Sequence, residues 1–517
     1  MTYTQRYVGS GGSDANDGST VALRKLTLQA MENALSAATR YTVNVRQGTY
    51  RELLTLGVSG PTAYATGTIS VTLGSKTVTG SGTAWLANAE LNDWLQVQVL
   101  ASGTDGVTSA VTATSHTFTS AAGNFQAGHV GYSIRINTIG AYIITAVASA
   151  TSITIAKPDN SSFLMVAGTG LTYNVGPESP YKVASVDSDT QITLAEAWGA
   201  PTFTGLAYQV WGHVEYVGDY TGVIFGDSFG AAPVRITGSD NDQTATRASC
   251  ITATTKLYRT FTGFALDFTT GGSMLNFGTS CTNIIVSKST FQAMASANAY
   301  MAFSGTGIAN SVLGCVFFTG RQQAVLFTNG ATVNNVGGLI QNCAVFGFTS
   351  VMIDDVRVGG ITVRNCVLNG SGGAGNVRVA TALAVGQTVT VNNCILANLS
   401  TALNATVAGE ITEDYNTFFG NGTDRTNTLS GANSKTYAPL FDPRWAFQLM
   451  HAQAAAQLIS PWDLASFSQL VNLAGILPTA TDLRGQAILG AQREWGALEY
   501  NSALKITGDT QSWFVSD

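Results

Sequence analysis

Acidic side chains that could do chemistry lie together at two points of a chain with few charges. Asp354 and Asp355 are adjacent in "VMIDDVRVGG", and Glu410, Glu413 and Asp414 share the segment "VAGEITEDYN". Two carboxyl groups can hydrolyse a glycosidic bond when one donates a proton and the other stands at a suitable separation. These five residues are therefore the candidate catalytic residues.

Each acidic segment also has a structural explanation, which we favour. Neighbours in a strand point to opposite faces, so Asp354 and Asp355 would not share one groove. Asp355 and Arg378 each lie twelve residues after a cysteine, which predicts an ion pair between neighbouring segments of the fold. Glu410 and Asp414 could straddle a turn and share a groove with a neighbouring chain, but a solvated edge also explains them.

Aromatic residues and histidines are the other candidates. Exposed tryptophans can stack on sugars or form a protein interface, whereas core packing is the simpler alternative and the one we favour. The candidate ligand-binding residues are Trp85, Trp94, Trp198 and Trp211. The four histidines are scattered, without Asp or Ser at the spacing of a catalytic triad, which favours structural or surface roles: His116, His129, His213 and His451.

One acidic stretch, "GSGGSDANDGS", looks at first like a calcium loop. An EF-hand needs Gly at position 6 and a bidentate Glu at position 12. Counted from Asp14, the glycine comes one residue early and position 12 is Lys25. The stretch therefore indicates a turn. The six cysteines form no CxxC pair and have no histidine at zinc spacing, and no phosphate-binding or dinucleotide motif is found, so we predict neither metal nor cofactor.

Composition narrows the class of protein further. Only 11% of the 517 residues are charged, 56 are glycine, and the net charge is −6. Low charge with abundant Gly, Thr and Ser favours strands and turns, and a negative chain is a poor ligand for nucleic acid. The N-terminal residues lack the apolar core of a secretory signal. The long charge-free stretch 289–320 is interrupted by Gly and Ser throughout, so we expect no membrane insertion.

A repeat is visible when the cysteines are used as a ruler. Segments such as "ITVRNCVLNG" and "VTVNNCILANL" share one pattern and align with similar segments on both sides, at spacings of 22 to 28 residues. The aligned positions are Phe264, Ser289, Cys315, Cys343, Cys366, Cys394 and Asn416. Repeats of this length with short apolar segments predict a solenoid whose stacked coils share an internal ladder, with the cysteines as buried, unpaired side chains.

The two ends of the chain carry a family resemblance. "YVGSGGSDANDGST", "LTLQAMENAL" and "TVNVRQGTYRELLTL" resemble the opening of right-handed parallel β-helix proteins of the pectate-lyase-like superfamily, and "TDLRGQA" and "REWGALEY" resemble their closing segment. The resemblance implies an all-β fold: a right-handed parallel β-helix with an N-terminal capping helix. The lyase motifs of the family, an acidic calcium cluster with an accompanying Arg, are not recovered.

The middle of the chain differs from the rest. Residues 60–213 contain two similar β-rich stretches, which indicates inserted β-modules with a second copy, about 107–178, nested inside the first. The segment "TVTGSGTAW" resembles modules of bacteriophage tail and virion-surface proteins. We therefore divide the chain into a cap and first coil (1–59), the insertion (60–213), the β-helix (214–430) and a closing segment with a tail (431–517).

Together these features predict a bacteriophage virion protein, similar to tailspikes or tail fibres, located in the virion. Its work would be attachment, through a cell-surface polysaccharide or through docking to other virion proteins, and the resemblance implies a homotrimer. One alternative is a polysaccharide depolymerase, a hydrolase or lyase that uses carboxylates in a groove of the β-helix. Another is a purely structural capsid or tail component.

Overall fold

The computed structural model describes residues 3–436 with interruptions, and the statements below concern those residues. The interruptions are 98–99, 137–139, 157–161, 176–180, 196, 199–201, 220–222, 226–233, 242–245, 268, 271, 279–280, 293–298, 305–309, 319–322, 329–337, 347–350, 357–359, 371–375, 382, 384–387, 429 and 432–433. The closing segment from residue 437 onward, with His451 and the tail after Tyr500, lies outside the described residues.

The chain forms a parallel β-helix with three parallel sheets, and a full coil contributes one strand to each sheet. The first sheet has ten strands: Thr4–Val8, Tyr41–Arg46, Val214–Asp219, Leu257–Thr262, Thr282–Ser287, Ser311–Leu313, Leu339–Gln341, Thr362–Arg364, Val389–Asn392 and Ile411–Asp414. The second has nine: Gly48–Tyr50, Val234–Thr237, Ala265–Asp267, Thr290–Gln292, Val316–Phe318, Ala344–Phe346, Val367–Asn369, Ile395–Ala397 and Thr417–Phe419. The third also has nine: Leu54–Thr55, Ile251–Ala253, Leu275–Phe277, Met301–Ser304, Val325–Thr328, Ile353–Val356, Val377–Thr381, Thr401–Asn404 and Thr423–Thr426.

The corner between the first and second sheets explains the sequence repeat. In seven successive coils a single residue there adopts a left-handed conformation, with φ between 48° and 82°: Gly263, Lys288, Gly314, Asn342, Asn365, Asn393 and Tyr415. Glycine and asparagine tolerate this conformation best, which accounts for their frequency at the corner. The residue that follows is in every case one of the seven aligned ladder positions, and each of these is at most 1% exposed.

Hydrogen bonds run along this ladder from coil to coil. The backbone N–H of Phe264 donates to Ser289 Oγ (3.2 Å), and that of Cys394 donates to Asn416 Oδ1 (2.8 Å). The N–H of Asn416 donates in turn to Ser434 Oγ (2.9 Å), so Ser434 is a further ladder member that the alignment missed. All six cysteines are buried free thiols. Burial raises the pKa of Cys250 to about 12.

The Gly- and Asp-rich stretch near the N-terminus is a turn held by a lysine. Asp14 Oδ1 accepts hydrogen bonds from the N–H groups of Leu26 (3.0 Å) and Thr27 (2.9 Å). The Lys25 ammonium donates to the carbonyl oxygens of Asp14 (3.0 Å) and Asn16 (2.5 Å). The cation inside this loop is therefore a side chain of the chain itself, at the position where an EF-hand would place its bidentate acid.

A short helix, α1 (Leu28–Ala34), follows this turn. Thr27 Oγ1 accepts a hydrogen bond from the N–H of Ala30, and Leu28 and Met31 belong to the apolar cluster that fills the solenoid. Glu32 on the same helix is fully buried against Arg259, whose two terminal nitrogens donate to its carboxylate at 3.1 and 2.6 Å. Tyr216 OH adds a third bond (2.7 Å). None of the helices in the described ranges is long and apolar enough to span a bilayer.

Two antiparallel units occupy the inserted region. The strands of the inner unit form a closed barrel in the order Ser115–Thr119, Ser152–Ala156, Gly140–Ser149, Ser133–Ile136, Gly168–Val175 and Ala101–Thr108. A two-stranded ribbon, Thr112–Ala113 with Phe163–Leu164, and a 3₁₀ turn, Ala127–His129, accompany it. The outer unit has the order Phe203–Leu206, Thr68–Val71, Thr77–Ser81, Gln191–Leu194, Tyr181–Ser188, Trp94–Val97 and Tyr208–Trp211, with helix α2 at Trp85–Asn88.

The two strand orders correspond element by element. When Thr77–Ser81 is aligned with Ser115–Thr119, the other strands correspond in the same order. The pairs are Gln191–Leu194 with Ser152–Ala156, Tyr181–Ser188 with Gly140–Ser149, Trp94–Val97 with Ser133–Ile136, and Thr68–Val71 with Ala101–Thr108. In the strand order they differ where the long inner strand Gly168–Val175, which closes the barrel, corresponds to two short outer strands, Phe203–Leu206 and Tyr208–Trp211. This correspondence supports the proposal that the insertion is one module with a second copy nested inside it.

Candidate functional site

A row of polar side chains crosses the outer face of the third sheet. Asp354, Arg378, Asn404 and Thr426 occupy one register position on four successive coils. Neighbouring parallel strands lie about 4.8 Å apart, so these groups are spaced at that interval. We refer to these four residues as the polar row.

The geometry within the polar row fixes one side chain firmly. Arg378 Nε and Nη2 donate to the two carboxylate oxygens of Asp354 at 3.0 and 2.7 Å, a bidentate pair. Gln323 Nε2 donates to the same carboxylate at 3.1 Å. The Asp354 side chain is 1% exposed, whereas that of Arg378 is 35% exposed. The buried acid therefore orients a cation that is open to solvent, and its hydrogen bonds raise the pKa of Arg378.

The predicted ion pair is wrong by one residue. Arg378 pairs with Asp354, and Asp355 lies beside Val379 instead. The count from the cysteines fails because Asp354 lies eleven residues after Cys343, whereas Arg378 lies twelve after Cys366. Asp355 shares its register position with Phe327, which belongs to the interior cluster, so the two adjacent aspartates point to opposite faces.

The carboxylates of the second acidic segment accept hydrogen bonds from within the chain. Glu410 accepts bonds from the backbone N–H groups of Leu383 (2.5 Å) and Val407 (2.8 Å). Glu413 faces the interior of the last described coil, where Arg425 Nε donates to it (2.8 Å). Glu413 also accepts bonds from Asn416, Gly431 and Ser434.

Asp414 accepts a bond from the N–H of Tyr415 (2.9 Å) and is 5% exposed. These three acids are buried rather than solvated, so the prediction of a solvated edge is wrong. Their partners give each of them a structural role.

The four tryptophans of the insertion are largely buried. Trp85 donates its indole N–H to Tyr208 OH (2.9 Å), and Trp198 stacks on Tyr181 with ring centroids 4.7 Å apart. Trp211 packs against Tyr258 of the β-helix, and Trp94 lies opposite Trp211 on the neighbouring strand, half-buried. Packing thus accounts for their positions, and the ligand-binding hypothesis for them stays untested.

A buried polar cluster, which the sequence did not reveal, joins the insertion to the β-helix. Asp93 accepts hydrogen bonds from Tyr3 OH (2.8 Å) and from Arg40 Nε and Nη2 (3.0 and 2.8 Å). Tyr3 OH also lies 3.0 Å from His213 Nδ1, and His213 Nε2 lies 3.7 Å from Glu215. Burial and the Asp93 charge raise the pKa of Tyr3. Burial alone would raise the pKa of Glu215, but contact with His213 and other partners lowers it to about 2.

The other two described histidines have structural contacts. The ring of His129 stacks on Phe203 at 5.2 Å, and burial lowers its pKa. His116 Nε2 lies 3.1 Å from the carbonyl oxygen of Ala113. Both contacts lie within the inserted modules, in keeping with the expected structural roles.

Signals for the polar row were present but weak. The sequence predicts Arg378 only as an ion-pair partner, and no pattern in it indicates Gln323 or Asn404. Asp354, Arg378 and Asn404 lie eleven, twelve and ten residues after the ladder cysteine of their own coil. The connection from the ladder to the third sheet therefore varies in length. No fixed count along the chain finds the row.

No family model matches the sequence, and no curated protein matches it. Among solved structures, pectate lyase Pel9A is 12% identical with a TM-score of 0.42, over 97% of this chain and 98% of that one. The Gp54 tailspike of Acinetobacter baumannii bacteriophage AP22, in complex with capsular saccharide, is 10% identical with a TM-score of 0.25, over 77% and 74%. The tailspike gp49 of Pseudomonas phage LKA1 is 14% identical with a TM-score of 0.19, over 84% and 82%. At these values no activity or ligand transfers to this chain.

Proposed function

We propose that this chain is a bacteriophage virion protein of the tailspike or tail-fibre kind, and that it binds a cell-surface polysaccharide along the polar row. The observation that carries the glycan part is the Asp354–Arg378 pair, in which a buried carboxylate holds an accessible guanidinium. A planar, oriented donor can form two parallel hydrogen bonds with sugar hydroxyls or with a sugar carboxylate.

The arrangement suits an extended ligand. Arg378, Asn404 and Thr426 repeat at about 4.8 Å along the solenoid axis, so one chain of sugars can contact several coils. Because the strands of Arg378 and Asn404 are hydrogen-bonded to a neighbouring strand on both sides, little conformational freedom is lost on binding. The virion part of the proposal rests on the resemblance of "TVTGSGTAW" to phage modules.

A binding assay on the intact chain tests the glycan part. We expect the protein to bind host capsule or lipopolysaccharide on a glycan array, and Arg378→Gln to weaken binding by about tenfold or more, because hydrogen bonds to charged groups contribute about 1.5–3 kcal/mol. Asn404→Ala should weaken binding without disturbing the ion pair. Arg235→Gln is the control, since Arg235 is also a partly exposed arginine in an ion pair, with Asp267, but lies on the second sheet. Normal binding by both polar-row variants would refute the site.

Assays on the same purified protein and its variants distinguish the alternative functions. Release of oligosaccharides that is lost in Asp354→Asn or Glu410→Gln would establish a depolymerase. Failure of the folded protein to bind any glycan would favour the purely structural role. Light scattering on the intact chain tests the proposed homotrimer, and a map of an intact particle tests the virion location and the docking to other virion proteins.

A further inference from the structure

One contact between the inner and outer units of the insertion is built on a buried histidine. His129 ends the 3₁₀ turn of the inner unit and is 1% exposed. Its ring stacks on that of Phe203, which belongs to the outer unit, with an angle of 15° between the two planes. Gly128 lies directly against the same phenylalanine, because a Cβ at that position would overlap its ring. We call Gly128, His129 and Phe203 the module joint.

The hydrogen bonding of the histidine ring favours its neutral form. The N–H of Gln126 donates to His129 Nδ1 over 3.4 Å, which requires a nitrogen without a proton. The neutral ring therefore carries its proton on Nε2. A second proton, on Nδ1, would remove the acceptor, so the bond from Gln126 is lost when the ring becomes charged.

The surroundings of His129 do little to stabilise a charge. The two strands that pack against the turn most extensively, Gly140–Ser149 and Phe203–Leu206, contain no Asp, Glu, Lys or Arg. The wider stretch 106–156 contains no carboxylate, and its other titratable or cationic side chains are His116, Tyr132, Arg135 and Tyr142.

Burial decides which protonation state the closed joint prefers. An aromatic face attracts a cation, but the desolvation of a buried charge costs more. Burial accordingly lowers the pKa of His129 below the ordinary 6.5. Because the pKa is lowered in the closed joint, the contact is fully present above about pH 6.5 and weakens as pH falls below that value.

We propose that the module joint is an acid-sensitive contact, which opens when His129 accepts a second proton. The charged ring loses the bond from Gln126 and leaves the apolar surface of Phe203 for water. Residues 214–450 contain no histidine, so the same change of pH protonates no imidazole in the β-helix. Acid therefore changes how the inner unit is held on the outer one. The inference is independent of the proposed glycan site.

Hydrogen exchange on the full-length protein at about pH 7.5 and about pH 5, read by mass spectrometry and corrected for the intrinsic rate at each pH, tests the proposal. The turn offers protected amides, since the N–H of His129 donates to the carbonyl oxygen of Gln126 (2.8 Å) and that of Gly131 to Ile144 (2.8 Å). In the open joint the histidine has its ordinary pKa and is protonated at about pH 5. We therefore expect the corrected exchange of these amides to rise about tenfold or more at the lower pH.

Three variants separate this mechanism from general acid destabilisation. His129→Gln keeps an acceptor oxygen for the N–H of Gln126 and stays neutral, so the response to pH should disappear. His116→Gln replaces another buried histidine of the same unit, at 6% exposure, and as the matched control should retain the response. Gly128→Ala forces Phe203 aside and should give fast exchange at both pH values, as a reference for the open joint.

A histidine-selective NMR titration of the wild type adds a measurement that does not depend on how the variants fold. We expect the resonance that is absent from His129→Gln to titrate below about pH 6.5. Titration at or above that value would overturn the proposal. So would a pH response that persists in His129→Gln, or unchanged corrected exchange of the turn at about pH 5 when Gly128→Ala exchanges fast.

Discussion

Replacing Arg259 by Met should destabilise the N-terminal coils strongly. Both side chains of the Glu32–Arg259 pair are 0% exposed, so the substitution leaves a buried carboxylate without its cation. Breaking a fully buried pair by removing one partner costs about 3–5 kcal/mol. Arg259 also donates to the carbonyl oxygen of Val58 (2.9 Å), and its loss removes that bond as well.

The hydrogen bonds around Glu32 predict a partial rescue. Its carboxylate also accepts from Tyr216 OH and from the N–H groups of Gly57 and Val58. A glutamine at position 32 is neutral, keeps an acceptor oxygen for the N–H groups of Gly57 and Val58, and presents an amide NH2 that can donate to Tyr216 OH. We therefore expect Glu32→Gln in the Arg259→Met background to recover about 2 kcal/mol, the coupling typical of a shared buried network.

Urea unfolding followed by far-UV circular dichroism, together with hydrogen exchange of the first coils, measures both effects. The control is Arg235→Met, whose pair with Asp267 is partly exposed and should contribute at most about 1 kcal/mol. A loss below about 1 kcal/mol for Arg259→Met, or a double variant no more stable than the single one, would refute the reasoning.

Four further predictions follow from the described contacts. The pKa of Glu32 is lowered overall, since Arg259 and Tyr216 outweigh the effect of burial, so its stabilisation is present above the ordinary glutamate pKa. It should be lost as pH falls through the lowered value; acid unfolding curves of the wild type and the double variant should converge at low pH. Lys25→Met should destabilise the N-terminal turn by about 1–3 kcal/mol, because the carbonyl oxygens of Asp14 and Asn16 lose the charged donor that the buried Lys25 supplies; calcium should not restore the melting temperature. Lys288 has φ 48°, so Lys288→Val should lower stability by about 1 kcal/mol or more, whereas Lys288→Gly should be neutral or stabilising in thermal unfolding. The six cysteines should resist alkylation in the native protein and react only on unfolding, and labelling of any of them under native conditions would contradict their burial.

The sequence predicts the solenoid because the same local requirement on backbone conformation and side-chain size recurs from coil to coil. Each of the seven coils in the repeat has a residue with left-handed backbone, followed by a small or apolar side chain that fits the corner. Asn365 before Cys366 and Asn393 before Cys394 show this pair in consecutive coils. The failure of the calcium count at Lys25 was also readable, because ligand spacing in a loop is a local property.

Tertiary structure alone decided which distant side chains meet. Arg378 pairs with Asp354 rather than with Asp355 because the connection from the ladder to the third sheet varies in length between coils. A shift of one residue turns a strand's side chains to the other face of the sheet. Glu413 was expected at a solvated edge, but the stacking of coils carries it into the interior beside Arg425. The contact of Tyr3 with Asp93 and His213 joins three separate parts of the chain. Periodicity along a sequence reports how each coil is built, whereas contacts between coils and inserted modules depend on loop lengths and docking, which leave no local pattern.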